Sequence, residues 1–114
     1  PKDESFDSAL LLMASLRFPD ESLSARTIDR IQRELTLGLD SGFFYRYRRP
    51  DDFGVPESAF VICSFWMVQA LARIGSPKAA LAFMERAMKS ANPLGLFSEH
   101  FAPEAGHQGG NFPQ

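Results

Sequence analysis

The chain has 114 residues, 45% of them hydrophobic and 23% charged, with a formal net charge of -2. These totals fit one small globular domain or a piece of a larger one. They weigh against a nucleic-acid surface, which concentrates Lys and Arg, and no run of about 18 apolar residues is present to span a membrane. The single Cys63 leaves no partner for an internal disulfide and sits in the apolar run "FVICSFW", as a small buried hydrophobe would. A cytoplasmic setting is expected, with no nucleic-acid or membrane partner.

In chain order, the first helical stretch is "DESFDSALLLMASLRF", with Asp3 or Ser5 as its cap and Phe18-Pro19 as its end. Leu10, Leu11, Leu12 and Met13 make it apolar nearly all round, as burial on more than one face requires. The second, "ESLSARTIDRIQRELTLG", has Ser22 or Ser24 as cap and Gly38 as stop. Ile28, Ile31 and Leu35 form one apolar stripe, while Asp29 with Arg33 and Arg30 with Glu34 form i,i+4 pairs on the wet face.

A loop follows, "LDSGFFYRYRRPDDFGVPES", long enough to suggest a functional role and aromatic enough to be ordered. The third helix, "ESAFVICSFWMVQALARIG", is the most apolar segment. Val61, Ile62, Phe65, Trp66, Met67 and Val68 cover most of its circumference. The fourth, "SPKAALAFMERAMKSAN", places Ser76 at the cap and Pro77 at the first helical position, with Gly75 closing the helix before it. Its apolar face is Ala80, Phe83, Met84, Ala87 and Met88. The expected class is all-α, with enclosed helices alternating with outer amphipathic ones. Two helices enclosed on every side need more neighbours than this chain supplies, so missing chain or partner subunits are expected. The start at Pro1 and the abrupt apolar "NFPQ" also suggest a fragment.

Few residues have the spacing that chemistry demands. His100 and His107 lie seven apart with one cysteine far away, so no metal is expected. Ser64 lies inside an apolar helix without a nucleophile elbow, and "GHQGG" has no following helix to hold a phosphate. Glu99 is different: it stands between aromatics, where a carboxylate can be tuned to act as a base, although a solvated loop glutamate is the commoner reading. Arg46, in "FYRYRR", offers a donor fork beside flat rings, a combination that suits sugars or carboxylates but also a stacked surface arginine. Glu57 precedes the third helix and could simply be a favourable charge in its first turn.

Taken together, "GFFYRYRRPDDFG", "ESAFVICSFWMVQALARIG" and "KAALAFMERAMKSANPLGLFSEHFAPEAGHQGGNFPQ" resemble a segment of glycoside hydrolase family 15. That family contains glucoamylases, glucodextranases and some microbial trehalases. Its bacterial members read F-L-L-C-S-F-W in an inner helix and SEE-x-D-P-x-T-G-x-x-L-GNFPQ-A-F-S-H after it. The resemblance covers nearly the whole chain and implies part of an (α/α)6 barrel, in which inner and outer helices alternate. Residues 1–114 would then be a C-terminal fragment of the catalytic domain.

The family inverts configuration at the sugar with two glutamates, one acid and one base. The resemblance implies that Glu99 in "FSEHF" is the base and that Arg46 binds substrate, with Tyr47, Glu57 and Trp66 as further substrate contacts. It implies an exo-acting enzyme on an α-glucan oligosaccharide or trehalose, with no cofactor. The family's acid lies upstream on a tryptophan–glutamate segment this chain lacks, so the fragment alone would be inactive. It would also expose inner-helix apolar faces and self-associate or need the rest of its chain. His100 departs from the family, where many members have a second glutamate, and "APEAGHQGG" departs from its loop. The alternative is a small helical-repeat binding module without catalysis.

Overall fold

The computed structural model describes residues 5–38 and 40–113. Asp3, one of the two caps expected for the first helix, and Gln114, the last residue of "GNFPQ", lie outside them. Among the described residues, the first helical stretch is a 3-10 turn, Ser8–Leu11, leading into helix α1, Leu12–Ser15. Its cap is Asp7 rather than Ser5: the Asp7 carboxylate accepts the Ala9 N–H at 2.7 Å. The helix stops before Phe18 because Arg17 turns left-handed at φ 57, which lets the Phe18 N–H reach back to the Met13 carbonyl at 2.9 Å. Of the apolar residues in this stretch only Leu11 is fully buried, and Leu10 is 40% exposed, so the expected burial on several faces is not reached within the described residues.

Helix α2, Glu21–Glu34, is capped by Asp20, which accepts from the Leu23 N–H at 2.8 Å; neither Ser22 nor Ser24 does this work. The stripe Ile28, Ile31, Leu35 is buried as the spacing requires. Both ion pairs form, Arg30–Glu34 and Arg33–Asp29 at 2.6 Å each. The helix ends four residues before Gly38, because Leu35, Thr36 and Leu37 turn to pair with the long loop. The Leu37 N–H reaches the Phe43 carbonyl and the Tyr45 N–H the Leu35 carbonyl, at 2.8 and 2.9 Å. Phe43 and Phe44 are buried, which explains the order of the loop, whereas Phe53 is 99% exposed.

The third helix starts later than its composition suggests. Ala59–Phe60 is a short strand, β1, and helix α3 is Val61–Arg73. Strands β2, His100–Ala102, and β3, His107–Gly109, complete a three-stranded antiparallel sheet in the order β1-β2-β3. Ala59 pairs with Phe101 and Phe60 with His100; His100 then pairs with Gly109. The fold is therefore mixed helix and sheet, not all-α. The strands are two or three residues long, too short for alternation to be read, yet they bury Ala59 and Phe101 against Phe43 and Val61.

Helix α3 is the most enclosed element: Val61, Cys63, Ser64, Met67, Ala70 and Leu71 are buried, and Trp66 and Phe65 half-buried. Burial pushes the Cys63 thiol up to about 12, consistent with the inert hydrophobe its context suggests. Helix α4, Pro77–Ala87, begins with Pro77 as expected, but the Ser76 side chain makes no cap hydrogen bond. Ala80, Phe83 and Ala87 face the core, while Met84 and Met88 are 38% and 47% exposed, so the buried face is narrower than the apolar one. Helices α3 and α4 lie side by side, and Gly42 lets the long loop approach α4 closely: a Cβ there would come within 2.6 Å of Arg86 Cβ.

Candidate functional site

The antiparallel sheet and the long loop together wall a cleft of about 620 Å³. Arg46, Tyr47, Glu57 and Glu99 all line it, along with Asp51, Ser58, Phe60 and His100. Trp66 does not line the cleft but stands behind it, its ring 5.6 Å from the Arg46 guanidinium carbon. A larger hollow of about 790 Å³ lies between α1, the start of α2 and the end of α3, away from these residues.

Each side chain is placed by identifiable local structure. Glu99 precedes β2, and its backbone is tied on both sides: its N–H donates to the Asn111 carbonyl at 2.9 Å and its carbonyl accepts the Val61 N–H at 2.9 Å. The second bond joins Glu99 to the first residue of helix α3, so the most apolar helix of the chain anchors the candidate base. Its Oε2 accepts the Asn111 N–H at 3.0 Å. The Glu99 side chain keeps 25% of its surface exposed, so it is neither the fully solvated loop glutamate nor a buried carboxylate.

Arg46 is held by Asp7, whose Oδ1 accepts from Nε at 2.5 Å. The same carboxylate caps the first turn, and the backbone closes the link where the Ser8 N–H donates to the Arg46 carbonyl at 2.8 Å. One edge of the guanidinium is thus engaged and one face lies toward Trp66, and among the described residues the terminal nitrogens have no hydrogen-bond partner.

Tyr47 donates its hydroxyl to Asp51 Oδ2 at 2.7 Å, while Asp51 Oδ1 accepts the Phe53 N–H at 2.8 Å in an Asx turn. The hydrogen bond to Asp51 holds the Tyr47 hydroxyl above its usual range, and the same bond, with the Phe53 N–H, holds the Asp51 carboxyl below its own. Glu57 is exposed in the segment leading to β1. It lines the cleft, and the reading of it as a charge in the first helical turn is wrong, since α3 begins at Val61.

Four cleft contributors were not legible as such: Asp7, Asp51, Ser58 and Asn111. Asp51 had a signal, since Asp followed by Asp-Phe-Gly marks a tight turn. Asp7 and Asn111 act only through tertiary contacts. His100 and His107 fall in β2 and β3 rather than in a loop, and no group of three metal-ligating side chains exists among the described residues.

Chemically, the cleft combines a semi-exposed carboxylate, a positioned guanidinium, aromatic faces and further carboxylates. That set suits an uncharged, hydroxyl-rich ligand. Comparison with known proteins finds one recurring name. Proteins named trehalase are similar along nearly the whole chain: that of Mycobacterium tuberculosis is 40% identical over 117 residues, covering 98% of this chain and 17% of that protein. The trehalase of Mycolicibacterium smegmatis is 38% identical with the same coverage. That of Thermoplasma volcanium is 34% identical over 113 residues, covering 97% of this chain and 18% of its own length. The chain thus spans under a fifth of the relatives it matches. No family model matches it, and no solved structure does.

Proposed function

We propose that this chain is part of a trehalase-like glycoside hydrolase that inverts configuration, and that Glu99 is its water-activating base. The observation that carries the reading is the state of the Glu99 carboxylate. Oε2 accepts the Asn111 N–H, Oε1 has no hydrogen-bond partner among the described residues, and Glu99 lines one cleft with Arg46. The trehalase names of the similar proteins supply the substrate, trehalose.

In this reading Arg46 donates to sugar hydroxyls, Tyr47 and Glu57 shape the cleft wall, and Trp66 backs the guanidinium. Glu99 removes a proton from water as the water oxygen bonds to the anomeric carbon. The glycosidic bond breaks on the opposite face, and an acid outside these residues protonates the departing oxygen. The (α/α)6 barrel, the family 15 assignment and a cytoplasmic setting belong to the same proposal. An α-glucan substrate is the second possibility within that family, but nothing in the comparisons favours it. The helical-repeat module is not favoured, since whole-chain similarity to trehalases leaves it without support. Self-association of the isolated chain belongs to the proposal as well: Phe65 and Trp66 are half-buried rather than bare, but Leu16, Phe53 and Leu94 are exposed, and sedimentation of the isolated chain tests it.

The test is the anomer released by the full-length polypeptide carrying this segment. Inverting hydrolysis of α,α-trehalose gives one β-glucose and one α-glucose, visible by proton NMR before mutarotation. Two α-glucose molecules, or no hydrolysis, would sink the proposal.

A further inference from the structure

The two oxygens of Glu99 are not equivalent. Oε2 accepts the Asn111 N–H at 3.0 Å and also lies 3.8 Å from His100 Nε2. Oε1 has neither neighbour. His100 itself is held on three sides. Its Nδ1 lies 3.3 Å from Ser58 Oγ, its ring packs on Phe60 with centroids 5.4 Å apart, and Gly110 presses from behind. A Cβ at Gly110 would stand 2.6 Å from His100 Cδ2 and 2.8 Å from Glu99 Oε2.

When Nδ1 accepts the Ser58 hydroxyl proton, the neutral ring carries its own hydrogen on Nε2, the nitrogen that faces Glu99. At 3.8 Å the pair is adjacent but not hydrogen-bonded, and catalytic hydrogen bonds are often long before substrate closes a site. The pairing of His100 with Phe60 and Gly109 across the sheet fixes the backbone from which this ring projects.

We propose that His100 is a positioning residue for Glu99. With Ser58 behind it, and together with the Asn111 N–H, it engages Oε2 and so leaves Oε1 as the oxygen that takes the proton from water. This rests on the reading of Glu99 as the base. It also gives a physical role to a histidine at a position where the resemblance leads one to expect a second glutamate. A histidine tethered by Ser58 can donate to Glu99, whereas an ionised glutamate there could only repel it.

The experiment uses the full-length polypeptide and trehalose. His100→Ala is expected to lower kcat about fivefold to tenfold, the worth of one hydrogen bond, with KM within about twofold. His100→Gln is expected to recover most of the loss, because its amide nitrogen reaches the place of Nε2. Wild-type kcat in His100→Ala, or equal losses in both variants, overturns the proposal. If Glu99→Gln is inactive while His100→Ala is fully active, only the positioning role falls. If Glu99→Gln is fully active, the base reading falls and takes this one with it.

A second readout needs no turnover and no folding-sensitive change in the ring. Acylation of His100 by diethyl pyrocarbonate, followed by peptide mass spectrometry, is expected to speed up about threefold or more in Ser58→Ala, because the ring loses its tether. An unchanged rate overturns the Ser58–His100 link on which the proposal depends.

Discussion

Asp7 holds Arg46 at 2.5 Å across 39 positions of sequence, and the same carboxylate oxygen caps the first turn of the chain. The cleft therefore depends on the N-terminal segment being folded against the long loop. Asp7→Ala is expected to lower stability by about 1–2 kcal/mol, mostly from the lost cap, since the ion pair is about one-third exposed and screened. In the full-length polypeptide KM for trehalose should rise about threefold to tenfold as Arg46 loses its anchor. Asp7→Asn, which keeps an acceptor, should lose less of both. Thermal melts and steady-state kinetics check the pair.

Gly110 and Gly95 separate backbone strain from site damage. Both have positive φ, 71 and 78, so alanine at either costs about 1–2 kcal/mol. Only Gly110 is crowded, by His100 and Glu99; nothing lies within 4 Å of a Cβ at Gly95. Gly110→Ala should displace the Glu99 carboxylate and lower kcat on trehalose by about tenfold or more, since a misplaced base costs rate steeply. Gly95→Ala should lose only the backbone share of thermal stability, no more than Gly110→Ala loses, and leave kcat unchanged. Equal activity in the two would show that the close approach at Gly110 does not matter for turnover.

These contacts show what was legible in the sequence. The stripe Ile28, Ile31, Leu35 and the two ion pairs of α2 could be read because helical period repeats over fourteen residues. Of the candidate residues named from the sequence, Arg46, Tyr47, Glu57 and Glu99 line one cleft, and Trp66 does not. Their supports could not be named. Strands of two or three residues carry no period, so Glu57 was read into a helix that starts at Val61. Asp20 and Asp7 outcompete nearby serines because their carboxylates are placed to reach N–H groups two and three residues on. Ser58 and Asn111 act only through partners 42 and 12 positions away, which no local pattern records.

The Tyr47–Asp51 hydrogen bond has a pH signature at both ends. Asp51 is lowered from 3.8 by the Tyr47 hydroxyl, so the bond's contribution is complete above that value and is lost as pH falls through the lower folded one. Tyr47 is raised from 10.0 by the same bond, so its contribution is complete below pH 10 and is lost as pH rises through the higher folded value. Absorbance titration should show one tyrosine ionising later than an ordinary phenol, and Asp51→Ala should return it to the usual range. A late tyrosine unchanged in Asp51→Ala would assign the shift to another cause.

The central claim is that Glu99 activates water. The most direct measurement is kcat for trehalose in the full-length polypeptide with Glu99→Gln, which keeps the side chain's size and its contact with the Asn111 N–H. General base catalysis is worth about 10²–10⁴-fold, so kcat should fall by at least about a hundredfold with a native thermal melt. A variant that folds normally and hydrolyses trehalose within about twofold of the wild type, far inside the range a lost base would cost, would contradict the account.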